Sequence, residues 1–300
     1  MSERVATEND NSRTEYVQRA EDVPLYQLVP VRGPDGEVLD AYRGVQREDD
    51  KSVVSIVSSR YGLVQHRYIA QAVHAIGEAL DKPEIPAEGM RPNAPFTRES
   101  IRLYSHGRRM EVKLVIGQKF QLDSGKETYY PGVRVYNSLD GAWAVRMEAF
   151  ALRVCCTNQL YAGARSTMEF RELHLSSAED LLGQLQRATY EVLDHFDDAL
   201  DMFSSSMNQT LPIRDVASAL SAVGLPRRHV DRIAEQLPEY FGSTLWGELS
   251  RWDAYQLATD YLTHCVGPRV NPERERMLER AAARALLLEG AGEGGEAVPA

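Results

Sequence analysis

The sequence predicts an α+β protein with a mostly antiparallel sheet, one inserted helix and a C-terminal helical region. Three observations lead to this prediction. Apolar and polar residues alternate through much of the segment 39–154, the apolar period becomes helical after residue 176, and no parallel crossover pattern is visible. The predicted domains are a disordered N-terminus over residues 1–22, a sheet domain with one inserted helix over residues 23–175, a helical region over residues 176–288 and a disordered acidic tail over residues 289–300.

The first predicted elements are two strands, LDAYRGV and VVSIVSSRYGLV, joined by the charged turn QREDDKS. A helix follows, in which apolar side chains recur at steps of four, at Tyr68, Ala72, Ile76 and Leu80. The segment 101–122 then alternates on both sides of the turn Ser105-His106-Gly107-Arg108. It predicts a hairpin.

The segment 129–160 predicts a second hairpin, which folds at the turn Leu139-Asp140-Gly141. Residues of two kinds alternate along both strands: Val133 and Val135 with Arg134 and Tyr136, then Trp143, Val145 and Met147 with Ala144, Arg146 and Glu148. One face of this hairpin is therefore expected to be apolar, and the other to carry guanidinium and aromatic groups.

Helical periodicity dominates the last third of the chain. Ser176 and Glu179 match a capping box, and an apolar stripe from Leu181 to Phe203 predicts one long helix that packs on the sheet or on a second subunit. Shorter helices are predicted around residues 216–223, 230–237, 245–262 and 277–288.

Charge is distributed unevenly along this acidic chain. The formal net charge is -10, yet the segment from Arg91 to Leu175 holds 13 Lys+Arg against 8 Asp+Glu. Random clumping on a solvated surface also produces such a bias, so a basic ligand-binding region and an ordinary surface both stay open. The chain shows neither a run of about 18 apolar residues nor a basic-then-apolar leader, which predicts a cytoplasmic protein with no membrane partner.

No residue set forms a convincing catalytic, metal or cofactor site, so we expect a protein that is not an enzyme and has no cofactor. Cys155, Cys156 and Cys265 lack the spacing of a zinc site and are interpreted as reduced, buried side chains. A cysteine nucleophile paired with His174 lacks an orienting third group. The acidic run around His195 reads better as a solvated helix face than as a cation site, and no GxxxxGK[ST] or GxGxxG is present.

Four motifs resemble those of the phage/plasmid-encoded domain of unknown function 932, in order and over roughly residues 41–288. They are YNSLDG at residues 136–141, RVCCTNQL at 153–160, FRELH at 170–174 and WDAYQLATDYLTH at 252–264. The chain departs from the family pattern at Cys155-Cys156 and at Gln256-Leu257. Its β-β-α-β-β-β order is in turn similar to the core of ring-forming single-strand annealing proteins such as phage Redβ and Erf, which implies fold and not function.

The candidate ligand site is a set of cations and rings on the predicted strands. Single-stranded nucleic acid requires this mixture, because cations follow the phosphates and rings stack on bases. The predicted nucleic-acid-binding residues are Arg102, Arg108, Arg109, Lys113, Arg134, Tyr136, Arg146 and Arg153. The alternative is that they are outward residues of a half-solvated sheet, since the register between the hairpins is open.

Two functions follow. The first is a non-enzymatic, oligomeric single-stranded DNA-binding protein that promotes annealing or recombination for a mobile element, with the acidic tail competing for the basic surface. The second is an acidic protein-interaction module or inhibitor that acts on a host protein, to which the net charge of -10 is well suited.

Overall fold

The computed structural model describes residues 14–80, 98–117, 119–122, 127–142, 145–153, 159–161, 167–170, 178–194, 196–241, 247–266 and 272–287. The strands of this part are β1 (Glu15–Val17), β2 (Tyr26–Arg32), β3 (Val38–Arg47), β4 (Val53–Ser58), β5 (Glu99–Tyr104), β6 (Arg109–Val115), β7 (Phe120–Leu122), β8 (Glu127–Ser138), β9 (Val145–Arg153), β10 (Gln159–Tyr161), β11 (Thr167–Phe170), β12 (Thr210–Pro212) and β13 (Glu248–Ser250). The α-helices are α1 (His66–Ala79), α2 (Ala178–Asp194), α3 (Phe196–Asn208), α4 (Ile213–Ala222), α5 (Arg227–Phe241), α6 (Arg251–Tyr261) and α7 (Pro272–Leu286).

The fold is α+β, as predicted, and every strand pair among these residues is antiparallel. The large sheet has the order β1-β5-β6-β8-β9-β10, with β7 paired to β8 and β11 paired to β9. A second sheet has the order β2-β3-β4, and β12 pairs with β13. Both predicted hairpins are confirmed, as β5-β6 and β8-β9.

The apolar face of the large sheet packs against α1 and α2, and this contact forms much of the hydrophobic core. Gly77 of α1 lies so close to Leu114 of β6 that an added Cβ would come within 2.8 Å of the Leu114 side chain. On α2, Thr189 lies 3.7 Å from the sulfur of Met147 in β9. With this face filled by helices, the opposite face of the sheet is the one left for charged side chains.

The small sheet β2-β3-β4 lies over the turns of the two hairpins. Tyr26 donates a hydrogen bond to the carbonyl oxygen of Gly107 at 2.9 Å, and Ser55 donates to that of Leu139 at 2.6 Å. The first turn needs this support, because Ser105, His106 and Gly107 all have positive φ, which costs energy for a residue with a Cβ. β2 was not predicted, because Pro30 interrupts its strand pattern; it is tolerated at the edge of the sheet.

The C-terminal half is helical, as predicted, with differences in detail. The stripe at residues 181–203 predicts one long helix, and the described residues on both sides of His195 are helical, as α2 and α3. His195 itself and the capping-box residue Ser176 lie outside the described part. Leu249, expected in a helix, belongs to β13. No helix among the described residues has the length and apolar character needed to cross a membrane.

The structure also differs from the prediction of a disordered N-terminus over residues 1–22. Residues 15–17 form β1, which pairs with β5, and Ala20 lies in a short helix where it is buried. The polar sequence gives no sign of this ordered structure, because β1 is held by backbone pairing with a strand more than 80 residues away. Residues 1–13 and the predicted tail 289–300 lie outside the described residues.

Candidate nucleic-acid interface

The charged face of the large sheet is built from two rows of residues that oppose one another across neighbouring strands. Directly opposed residues point to the same face of a sheet. The first row is Arg102, Glu111, Tyr136 and Arg146. The second row is Ser100, Lys113, Arg134 and Glu148. Six of the eight predicted binding residues therefore share one face. Arg102, Lys113, Arg134, Tyr136 and Arg146 belong to these two rows, and Arg109 belongs to the next row, opposite Tyr104 and Ser138.

Helix α7 covers this charged face, and its carboxylates contact the sheet cations. Arg102 lies between two carboxylates: its Nε donates to Glu111 at 2.6 Å, and its Nη2 donates to Glu275 of α7 at 3.0 Å. The ammonium group of Lys113 lies 3.6 Å from the same Glu111. All of these side chains are buried.

Arg134 lies at the centre of the covered face and is only 1% exposed. Its Nη1 donates to Glu279 of α7 at 2.8 Å, and its guanidinium carbon lies 5.1 Å from the centre of the Phe150 ring, within the range of a cation–π contact. Its Nε and Nη2 have no hydrogen-bond partner among the described residues. Arg134 is therefore a buried, permanently charged group with unused donors.

Ion pairs with the charges reversed also cross this interface, with the carboxylate on the sheet and the guanidinium groups on α7. Glu148 of β9 accepts hydrogen bonds from Arg276 and Arg280 of α7, the latter at 3.1 Å. The guanidinium carbon of Arg276 also lies 5.6 Å from the ring centre of Tyr136. Helix α7 thus presents both carboxylates and guanidinium groups to a sheet face that has both, in matched positions.

Burial and these partners shift the pKa values of the buried groups in different directions. Burial lowers the pKa of Lys113, and the neighbouring Arg102 lowers it further. Burial alone raises the pKa of a carboxyl group, but Arg276 and Arg280 outweigh it at Glu148 and bring that pKa below its ordinary value. At Glu279, burial prevails over the attraction of Arg134, and the pKa is raised.

Arg109 lies at the edge of the covered face, whereas Arg108 and Arg153 are out of phase with it. Arg109 bonds to Asp140 at 3.1 Å and to Glu273 of α7 at 2.9 Å. Arg108 belongs to the strained turn, where its Nε donates to the carbonyl oxygen of Ser105 at 2.9 Å, and it lines a pocket of about 820 Å³ beside the small sheet. Arg153 opposes Tyr129, which by strand alternation puts it on the other face; its side chain is outside the described part.

The carboxylates opposite the cations were missed by the sequence analysis. Glu111 and Glu148 are in phase with the predicted cations on their strands, so alternation was a signal for them. In α7, Glu275 with Glu279 and Arg276 with Arg280 are spaced four residues apart, which gives the helix a charged side opposite its apolar stripe. That second periodicity was the available sign that this helix packs on a charged surface.

Most of the remaining candidates from the sequence lie outside the described residues. Cys155, Cys156 and His174 lie outside the described residues, and Cys265 is exposed on the π-helical turn Leu262–Val266. Within the part of the chain that the structure describes, no group of three or more His, Cys, Asp or Glu side chains is arranged to hold a metal ion.

A comparison with protein families matches the chain to the domain of unknown function DUF932 over residues 53–285. The chain belongs to the DUF932 family. The matched part begins at β4 and ends in α7, so it includes both the charged sheet face and the helix that covers it. Comparison of this DUF932 chain with curated proteins and with solved structures found no similar protein.

Two of the motifs that suggested the DUF932 family have structural roles in the described residues. In YNSLDG, Gly141 has a φ of 70°, which suits the turn between β8 and β9. In WDAYQLATDYLTH, the buried side chain of Gln256 donates a hydrogen bond to the hydroxyl group of Tyr129 at 3.1 Å and so joins α6 to β8. Gly141 thus shapes the turn of the hairpin, and Gln256 positions the helical region against the sheet.

Proposed function

We propose that this DUF932 protein binds single-stranded DNA through the charged face of its large sheet and promotes strand annealing or recombination for a mobile element, without catalysing a reaction. The observation that carries the proposal is that Arg102, Lys113, Arg134, Tyr136 and Arg146 share one face over four neighbouring strands. This is the arrangement that a single strand needs, with cations along its phosphates and a ring to stack on a base.

The mechanism is electrostatic and positional. Cations on successive strands hold the phosphate backbone in an extended form, which leaves the bases free to pair with a second strand. The choice of annealing rests on fold analogy with the β-β-α-β-β-β order of Redβ- and Erf-like annealing proteins. The order β3-β4-α1-β5-β6-β8 contains that pattern, with the short β7 between β6 and β8 and the further strand β9 after it. Assembly into a homo-oligomer along the strand belongs to the same proposal.

In the structure, α7 occupies the face that the strand would contact. Binding through this face therefore requires α7 to separate from the sheet, and the measured affinity is that of the open form multiplied by the fraction of molecules that are open. The cations that stay partly accessible, such as Arg109 and Arg146, are expected to make the first contacts with DNA.

The test is fluorescence anisotropy of a labelled single-stranded oligonucleotide, titrated at low and moderate salt beside a duplex of the same sequence. We expect salt-sensitive binding that prefers the single strand. The sheet variant is Arg146→Gln, because Arg146 is half-buried and its replacement leaves the fully buried ion pairs in place. It should weaken binding and lower the salt slope by about one phosphate contact.

The matched control is Arg227→Gln, which removes the same charge from a side chain that is 94% exposed on α5. It should leave both affinity and salt slope close to those of the unmodified protein. Equal effects of the two substitutions would mean that net charge, and not the sheet face, determines binding. A flat titration at low salt would contradict DNA binding itself.

A protein-interaction module is the second candidate, and the outer face of the small sheet favours it. Tyr42, Val53 and Ile56 are 50%, 54% and 59% exposed on one side of this sheet, around Gly44. An exposed apolar surface of this kind marks protein contacts. If the oligonucleotide titration is flat, co-purification should recover a protein that Ile56→Lys loses and Tyr190→Lys, an equally exposed position on α2, retains.

A further inference from the structure

Helix α7 has two sides with different chemistry. Its apolar side, with Leu278, Ala281 and Ala282 buried, packs against α4 and α6. Its charged side, with Glu275 and Glu279, faces the sheet. Water does not replace the contacts of a buried apolar surface. In an ion pair, by contrast, another anion can take the place of the carboxylate. The two attachments of α7 therefore differ in what can break them.

The carboxylates of α7 contact the cations that the proposed function assigns to phosphates. Glu273, Glu275 and Glu279 bond to Arg109, Arg102 and Arg134 at 2.9, 3.0 and 2.8 Å. A phosphate offers oxygen acceptors of the same charge to the same donors. Helix α7 and a nucleic-acid backbone therefore cannot occupy the charged face of the sheet at the same time.

The closed interface does not satisfy all of its polar groups. Besides two nitrogen atoms of Arg134, one carboxylate oxygen each of Glu111, Glu148 and Glu279 lacks a hydrogen-bond partner among the described residues. A buried polar group without a partner costs about 1–3 kcal/mol, and burying paired charges carries a further desolvation penalty. The contact between α7 and the sheet is therefore weaker than its number of ion pairs suggests.

From these three observations we infer that α7 is an autoinhibitory cover, which a single-stranded polyanion displaces from the sheet while α7 stays attached to α4 and α6. This inference rests on the proposed function. It adds that the glutamates of α7 occupy the phosphate positions and that opening of the cover limits binding.

Two double substitutions open the cover while they change the net charge in opposite directions. Glu275→Gln with Glu279→Gln removes two negative charges from α7 and leaves Arg102 and Arg134 without these partners. Arg276→Gln with Arg280→Gln removes two positive charges and leaves Glu148 without its partners. Removal of one side of a buried ion pair is strongly unfavourable for the closed state.

We expect both variants to bind oligo-dT about tenfold more tightly than the unmodified protein, because both raise the fraction of open molecules. Hydrogen exchange of the α7 amides should be faster in both, with the amides of β6 and β8 still protected. A control with Asp231→Asn and Glu235→Gln on α5, where the side chains are 58% and 61% exposed, removes two negative charges without touching the cover and should change little.

The outcomes distinguish failure of the inference about α7 from failure of the proposed DNA binding. Affinities that move in opposite directions for the two variants would show an effect of net charge alone and overturn the cover. Faster exchange of α7 without tighter binding, in a protein that binds, would place the DNA on another surface and also overturn it. Binding by none of the proteins would reject the proposed function itself.

A measurement on the unmodified protein guards against variants that fold poorly. Saturation with oligo-dT should accelerate hydrogen exchange of the α7 amides, since the strand takes their place on the sheet. Unchanged or slower hydrogen exchange of the α7 amides in the bound protein would overturn the inference that α7 is a displaceable cover, whatever affinities the variants have.

Discussion

For Arg134, the sequence predicts the face of the sheet on which the side chain lies, and only the structure shows that the side chain is buried. Its alternation with Val133 and Val135 identifies the face on which it lies, and the register of β6, β8 and β9 confirms that face. Its burial under Glu279 depends on a helix about 140 residues later in the chain. A strand pattern describes which residues share a face, and it carries no information about what lies above that face.

His66 is a second buried titratable residue, at the start of α1. Its ring packs edge-on against Tyr26 at 5.6 Å between centroids, and its Nδ1 lies 2.9 Å from the side-chain nitrogen of Asn137. Burial lowers the pKa of His66 from 6.5 to about 3. The folded protein therefore keeps this imidazole neutral at pH values where the unfolded chain protonates it.

The lowered pKa of His66 predicts a loss of stability in mild acid. Because the folded pKa lies below the unfolded value, the stability is present above pH 6.5 and is lost as the pH falls. Between about pH 7.5 and 5.5, the free energy of unfolding should fall by roughly 1.4 kcal/mol more in the unmodified protein than in His66→Gln. Urea unfolding at both pH values measures this; the same pH dependence in both proteins would exclude His66 as the cause.

At the scale of elements, β8 and β9 approach so closely that one position accepts only glycine. A Cβ at Gly132 of β8 would lie 2.6 Å from the Phe150 ring of β9 and 2.7 Å from the carbonyl oxygen of Leu114 in β6. The backbone atom cannot move aside without disturbing the pairing of β6 with β8. The central strands thus have no space for even a methyl group at this point.

Gly132→Ala should therefore reduce the free energy of unfolding by about 1–3 kcal/mol through overpacking. Gly62→Ala is the matched control, because a Cβ there has no atom within 4 Å, and it should change stability by less than about 0.5 kcal/mol. Urea unfolding midpoints compare the two variants. Equal midpoints would show that β6, β8 and β9 relax around an added methyl group.

The elements that the sequence predicted well are those whose signals are local. Turns at Ser105 to Arg108 and at Leu139 to Gly141 separate alternating segments, and both hairpins formed there. β1 and β2 were missed, because one is three residues long and the other contains Pro30. The cover by α7 was missed for a different reason: the charge periodicity of α7 indicates that one of its sides meets a charged surface, but the partners on β5, β6, β8 and β9 are more than 100 residues away, and no local pattern identifies them.

At the scale of the whole molecule, the charge imbalance has a structural explanation over the described residues. The basic middle of the chain forms the charged sheet face, and acidic residues of the C-terminal helical region neutralise it within the fold. The cations that stood out in an acidic sequence are therefore largely internal. We expect acidic segments outside this interface, such as residues 289–300, to compete with DNA for the part of the sheet that is accessible.

The tail predicts a measurable competition with DNA. Removal of residues 289–300, which contain Glu289, Glu293 and Glu296, should strengthen binding of a single-stranded oligonucleotide about two- to fivefold at low salt, with the difference reduced at moderate salt by screening. Replacement of the three glutamates by glutamine in the full chain is the control for charge alone. Unchanged affinity in both proteins would rule out competition by the tail.

The order of elements along the chain matters during protein synthesis. The last strand of the sheet ends at Phe170 and α7 begins at Pro272, so about 100 residues are translated between them, which takes about 5–20 s at ordinary rates. In that interval the nascent sheet carries Arg102, Arg109 and Arg134 without their α7 partners, next to the RNA of the ribosome. We expect these cations to stay in contact with ribosomal RNA until α7 has been synthesised and its glutamates pair with them.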